Sequence, residues 1–192
     1  MKGGSGKSLL SVHLLVAARA GGMTSLLCDA DIQQGTALAW QKMRGTTDDV
    51  HRVHPAELAG AIKRNKVDLL IVDSAPRADS DVTRMAALAN FILIPVRPAL
   101  PDIAAAERAV AIAKAARRPF ATVINAAYPR TPETDEAREV LSKLGEVAPV
   151  EIYNRVAFAR ALGAGEAVTE FEPGGKAAQE INELWSYLRK HL

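Results

Sequence analysis

The sequence predicts an α/β fold, a mostly parallel sheet flanked by helices, and three observations carry that expectation. Apolar runs of strand length alternate with longer helix-like segments, the pattern of repeated βα units. Several of these runs are apolar throughout rather than alternating, as strands covered by helices on both faces must be. A glycine-rich heptapeptide, Lys2-Gly3-Gly4-Ser5-Gly6-Lys7-Ser8, opens the first helical segment, where a turn can aim backbone N–H groups and the positive end of the helix dipole at a phosphate.

The elements follow in order. The first helix, about Lys7–Arg19, is apolar nearly all round through Leu9, Leu10, Val12, Leu14, Leu15 and Val16, so it should be buried, and Gly21-Gly22 ends it. Strands are expected at Thr24–Cys28, Val67–Asp73, Phe91–Val96, Phe120–Asn125 and Val147–Ile152, each a short apolar run. Helices are expected near Thr36–Met43, Glu57–Asn65, Val82–Ala89, Asp102–Ala116, Glu133–Leu144 and Gly175–Leu192. No internal repeat, low-complexity tract or linker interrupts them, and 192 residues suit a single domain over 1–192. A phosphate loop normally hangs from the end of a central parallel strand. Nothing ahead of Lys2 can form one, so the first strand is expected to be missing from this sequence, and an upstream apolar segment is expected to stabilise the sheet.

Composition narrows the function. Hydrophobic content of 48% with 24% charged residues is that of a soluble globular protein. Aromatics at 5% argue against a stacking platform for single-stranded nucleic acid. A net charge of +2 permits nucleic-acid contact without demanding it. The single cysteine, Cys28, ends an apolar run and reads as a small buried residue in a reducing compartment. His13, His51, His54 and His191 lack metal-ligand spacing, and His51-x-x-His54 reads as solvated in a polar connection. No apolar run approaches the roughly 20 residues of a membrane span. No signal peptide is apparent either, so the protein is expected in the cytoplasm.

Three motifs carry the chemistry. In the first, Lys7 can reach β/γ-phosphates and the Ser8 hydroxyl can ligate Mg²⁺. The usual glycine five positions before the Gly-Lys-Ser is Met1 here, and an extra lysine, Lys2, precedes the glycines. The second motif is Asp29-Ala30-Asp31-Ile32-Gln33 after an apolar run. The third is Leu69-Leu70-Ile71-Val72-Asp73-Ser74-Ala75-Pro76, four apolar residues ending in an aspartate. Carboxylates in these positions can attract a hard cation and accept protons from water.

In this order the motifs resemble those of the ParA/MinD family of deviant Walker A ATPases, most closely the small ParA-type partition ATPases. That resemblance implies a P-loop NTPase fold, with ATP and Mg²⁺ bound. It implies a phosphate cradle of Gly3, Gly4, Ser5, Gly6, Lys7 and Ser8, and catalytic roles for Lys2, Lys7 and Asp31. Lys2 would reach the partner subunit's nucleotide, and Asp31 would orient or deprotonate the attacking water. Ser8, Asp29 and Asp73 would serve Mg²⁺. The second motif departs from the family's Asp-x-Asp-Pro-Gln by carrying Ile32 for proline, which loosens the turn. No glutamate follows Asp73, so water positioning falls to Asp31 and turnover is expected to be slow and partner-stimulated.

Later segments extend the resemblance over nearly the whole chain. Ile94-Pro95-Val96-Arg97-Pro98-Ala99-Leu100-Pro101-Asp102 is similar to the family's proline-rich segment, either a dimer or switch element or simply a helix start with Asp102 complementing the dipole. Asn125, at a strand tip, matches the family's adenine-contacting asparagine. Tyr153-Asn154-Arg155, Ala157-Phe158, Gly165, Val168 and the stretch from Pro173 to Glu180 fit the same pattern, and Arg155, Arg160 and Lys176 fall where relatives carry DNA-contacting basic residues. The last helix has an apolar stripe of Ile181, Leu184, Trp185, Leu188 and Leu192, expected to pack on the sheet rather than lie on a membrane. The resemblance thus implies an ATP-bound homodimer that binds DNA non-specifically and associates with the nucleoid. A ParB-like or other small DNA-binding partner would stimulate it, in plasmid or chromosome partition. The alternative is a MinD-like membrane-associated or other cargo-positioning ATPase.

Overall fold

The computed structural model describes residues 4–31, 34–75 and 80–192. They form alternating helices and parallel strands that group into two compact units.

One unit comprises residues 7–31, 34–75 and 156–185. Its first helix, α1 (Lys7–Ala20), buries Leu10 through Ala18 almost without interruption, as its all-round apolarity requires. Strand β1 (Ser25–Asp29) is buried along its whole length. It pairs in parallel with β2 (Val50–Arg52) on one side and β3 (Leu69–Asp73) on the other, giving the order β2-β1-β3. Helices α2 (Thr36–Arg44) and α3 (Leu58–Arg64) connect them, the latter led in by a 3₁₀ turn at Pro55–Glu57. Val12, Leu15, Val16, Leu27, Ala37, Trp40, Val50 and Ala167 form the core. Whereas β1 is buried throughout, Leu69–Val72 of β3 are only half-buried, and among the described residues no strand pairs with the β3 edge that faces away from β1.

Helices α7 (Val156–Gly163) and α8 (Val168–Phe171) complete this unit. The turn between them docks on the end of α2. Arg44 grips Glu170 with two hydrogen bonds of 2.7 and 2.6 Å, and Trp40 Nε1 donates to the Glu166 carbonyl at 3.2 Å. Gly165 sits at φ +73°, and a Cβ there would strike the Arg44 backbone, so only glycine allows this approach. His13 of α1 is fully buried beneath α8. Its Nδ1 accepts the Val168 N–H at 3.2 Å, and burial, opposed weakly by Glu170, pushes its pKa down to about 3.

The other unit comprises residues 4–6, 80–155 and 186–192. Its parallel sheet has the order β4 (Ile92–Val96), β5 (Phe120–Ala127), β6 (Ile152–Tyr153), with α4 (Ser80–Leu88), α5 (Leu100–Ala115) and α6 (Pro132–Leu144) between and around the strands. Ile94, Val96, Val110, Ile124 and Leu141 are central to its core. The final helix, α9 (Lys176–Leu188), belongs to the first unit as far as Trp185 and only its last turn belongs to the second; it buries Ile181, Leu184, Trp185 and Leu188, the stripe read from the sequence, while Leu192 lies beyond the helix and is exposed.

Two expectations are corrected. The strand read at Val147–Ile152 shrinks to Ile152–Tyr153, because Val147 makes only an isolated bridge to Thr122. His51 is not in a connection but in β2, opposite Cys28, with its side chain exposed.

Candidate functional site

The parallel register places Asp29 directly opposite Asp73 at the carboxyl ends of β1 and β3. Ligands bind at these strand ends in open α/β sheets. From Leu26 in β1 and from Leu69 in β3 both strands are apolar up to the terminal aspartate, so the carboxylates are drawn into the interior with them. Asp29 and Asp73 are each 1% exposed, and Asp31, just past β1, is buried as well. The Asp31 N–H donates to Asp29 Oδ1 at 3.0 Å, and Asp31 Oδ1 accepts the Gln34 N–H at 3.2 Å, which ties the two acids into one turn.

Lys7 and Ser8 open α1 in the same unit. Burial lowers the Lys7 pKa, while Asp73 and Asp31 pull it back up, so the ammonium lies within electrostatic reach of both acids. Burial is also the largest influence on Asp73. It pushes this carboxyl up to about 6, aided by Asp29 and Asp31 and opposed by Ser8 and Lys7. Asp29 is raised for the same first reason. The Ser8 hydroxyl is near enough to moderate Asp73, yet neither Asp73 oxygen, nor Asp29 Oδ2, meets a hydrogen-bond partner among the described residues.

Buried carboxylate oxygens without partners are costly unless a cation satisfies them. Among the described residues no cluster of three or more His, Cys, Asp or Glu side chains forms a dedicated metal cage. A cation here would be held by few protein groups together with phosphate oxygens and water, which suits Mg²⁺. The donor set present, one hydroxyl and two carboxylates, fits that ion.

In the other unit, Asn125 lies near the carboxyl end of β5, two residues before its last, and is 4% exposed. Its Nδ2 donates to the Ser5 carbonyl at 2.6 Å, so this amide touches the glycine-rich loop itself, a contact across 120 positions of sequence that no local pattern announces. Gly6 has φ +90°, the left-handed region that favours glycine.

Lys2 and Gly3 lie outside the described residues, as do Ile32, Gln33 and Pro76. Gly4 is exposed and has open space around it. Arg155 is half-buried with its guanidinium 5.3 Å from the Tyr153 ring centroid, whereas Arg160 and Lys176 are exposed. Asp102 sits in the first turn of α5, preceded by Leu100, which is 84% exposed.

Residues 1–168 match the CobQ/CobB/MinD/ParA nucleotide binding domain. The chain belongs to that family. Its fold is the α/β architecture of the ParA/MinD P-loop proteins. The chain is 27% identical over 199 residues to the maintenance of carboxysome distribution protein A of Halothiobacillus neapolitanus, covering 96% of this chain and 91% of that protein. Among solved structures, the septum site-determining protein MinD of Pyrococcus horikoshii, complexed with Mg-ADP, superposes with a TM-score of 0.81 at 16% identity, covering 98% of this chain and 93% of that one. An ATP complex of McdA from Cyanothece gives 0.77 at 12% identity over 99% and 92%. The strand-end carboxylates of this ParA/MinD-type domain therefore stand in a nucleotide-binding fold. Among the described residues no helix is long and apolar enough to cross a membrane.

Proposed function

We propose that the protein is a switch ATPase that dimerises on ATP, binds DNA without sequence preference in that state, and hydrolyses ATP slowly until a partner protein stimulates it. The observation that carries this reading is Asp73, a buried carboxylate whose two oxygens lack hydrogen-bond partners among the described residues while Ser8 and Lys7 stand near it. Such a carboxylate is poised to hold Mg²⁺ through water, as Ser8 is to ligate it, and the ion supplies charge neutralisation at the phosphates. Lys7 would bind the β/γ-phosphates. Asp31, held by its turn with Asp29, would orient the attacking water and accept its proton. Gly3 to Gly6 would turn their N–H groups to the phosphates, and Lys2 would reach the nucleotide of the second subunit.

The cargo is proposed to be a plasmid or chromosome. A second reading, the positioning of another large cellular cargo along DNA, is favoured by the likeness to the carboxysome distribution protein over nearly the full length of both chains. A membrane-surface role is less well supported, because the apolar stripe of α9 is buried.

The test is filter binding on two unrelated duplexes across a salt series with ATP or ADP, alongside co-sedimentation with anionic liposomes. ATP-dependent DNA retention is expected, with equal affinity for both duplexes. Each phosphate contact contributes a slope of about −0.9 in log K against log salt, so Arg160→Ala in both subunits should lower the slope magnitude by roughly 2. Equal affinity with ADP and ATP, or liposome binding in place of DNA binding, overturns the DNA-switch reading.

A further inference from the structure

The second contact of the glycine-rich loop concerns neither the cation nor Lys7. Strand β5 is paired on both edges, by β4 and by β6, which makes its end a rigid support. At that end the pairing with β6 slips between Asn125 and Ala127, and Ala126 takes φ +54°, a left-handed conformation that alanine adopts only at an energetic cost. Such irregularities re-aim a side chain. Here the side chain is the buried amide of Asn125, donating to the Ser5 carbonyl at 2.6 Å. The same amide fills the space beside Gly6: a Cβ there would overlap Asn125 Nδ2 and lie 3.4 Å from Cγ.

In a trans peptide the carbonyl of one residue and the N–H of the next point in opposite directions in one plane. Fixing the Ser5 carbonyl against Asn125 therefore fixes the Gly6 N–H on the opposite side, away from β5. Gly6 is the glycine immediately before Lys7, so its N–H is one of the donors the loop offers to phosphate.

We propose that Asn125 is a positioning residue that holds the Ser5–Gly6 peptide plane, so that the Gly6 N–H is aimed at phosphate before a nucleotide arrives. The inference rests on the loop being a phosphate site, as proposed above. It assigns Asn125 a role in the triphosphate part of the ligand, distinct from contact with the base. The strut acts without touching a reacting atom, and its effect is to keep a backbone donor preorganised, which removes an ordering cost from binding.

The experiment compares the protein with Asn125→Ala, Asn125→Asp and Gly6→Ala for binding of ATP, GTP and inorganic tripolyphosphate by calorimetry, with the Gly6 amide order parameter measured by NMR in the nucleotide-free protein. For Asn125→Ala, ATP and tripolyphosphate should weaken by the same factor, about tenfold for loss of one buried hydrogen bond. The ATP-to-GTP ratio should stay unchanged, and the Gly6 amide order parameter should fall. Gly6→Ala puts a Cβ against the Asn125 amide and strains the left-handed Gly6, so it reports loss of the loop itself; Asn125→Asp, which keeps the side chain's size but replaces the donor with an acceptor, should weaken ATP and tripolyphosphate by the same factor, which keeps the test decisive if Asn125→Ala folds poorly. Unchanged tripolyphosphate affinity with a collapsed ATP-to-GTP ratio in Asn125→Ala would overturn the strut and make the residue a base contact. Absence of tripolyphosphate and ATP binding in the wild-type protein would instead overturn the phosphate-loop reading on which the inference rests.

Discussion

Replacing Asp73 by asparagine should stabilise the nucleotide-free protein while removing its response to Mg²⁺ and ATP. Asp73 is 1% exposed, its oxygens lack partners among the described residues, and burial raises its pKa from 3.8 to about 6. Well above pH 6 that displacement corresponds to roughly 3 kcal/mol against the native state. The sign follows from proton binding. The unfolded chain releases this proton near 3.8 and the native chain near 6, so the group favours the native state most at low pH, and that contribution is lost as pH rises from about 4 to 6. Asparagine removes the charge but leaves a buried amide, which returns about 1–2 kcal/mol of the gain. The net expectation at pH 7.5 is a stabilisation of about 1–2 kcal/mol, or a rise of roughly 2–8 °C in Tm for a chain of this size. Thermal melts of both proteins with EDTA, and then with Mg²⁺ and ATP, provide the assay. Wild type should gain stability with Mg²⁺ and ATP and the variant little, so the order of the two midpoints should reverse. A variant that melts lower than wild type in EDTA, or that gains as much as wild type from Mg²⁺ and ATP, would refute the assignment of Asp73 as a carboxylate held for a cation.

His13 should act in the opposite direction with pH. Its folded pKa of about 3 lies below the unfolded value of 6.5, so its contribution is fully present above about 6.5 and declines as pH falls towards 3, by about 2 kcal/mol at pH 5. Between pH 4 and 6 the two groups offset each other in wild type. His13→Leu should therefore flatten acid destabilisation, and an unchanged difference between pH 7 and pH 5 in urea titrations would contradict this. The upstream strand expected from the sequence yields a further test: an apolar segment of about six residues joined ahead of Met1 should give an unpaired strand edge backbone partners, raising Tm by about 2–4 °C per kcal/mol gained. Equal midpoints for the extended and unextended proteins would show that the edge gains nothing from it.

The elements that the sequence made legible are those whose residues carry their own local signal. Helix α1 begins at Lys7 and buries Leu10 to Ala18 because it is apolar nearly all round, and β1 from Leu26 and β3 from Leu69 are apolar runs whose terminal aspartates mark their carboxyl ends. The facing of Asp29 and Asp73 was legible only as two separate motifs, and their register is a tertiary fact. Strand β2 escaped because Val50-His51-Arg52 has one buried residue and exists by pairing with β1. Helix α8, four residues long, was missed because contacts with Arg44 and His13 hold it in place rather than its own propensity. The Asn125 hydrogen bond to Ser5 was invisible for a different reason: a strand-tip asparagine signals polarity at a ligand-binding edge but not which partner its amide chooses.

The central claim is that ATP, held by the glycine-rich loop, drives two subunits together and that Asp31 serves the later hydrolysis. Sedimentation velocity of Asp31→Ala tests it most directly, in saturating Mg-ATP and Mg-ADP, with Lys7→Ala as the binding-deficient control. The account predicts a stable dimer of Asp31→Ala in ATP, a monomer in ADP, and monomers of Lys7→Ala in both. An Asp31→Ala protein that binds ATP and still sediments as a monomer would contradict it.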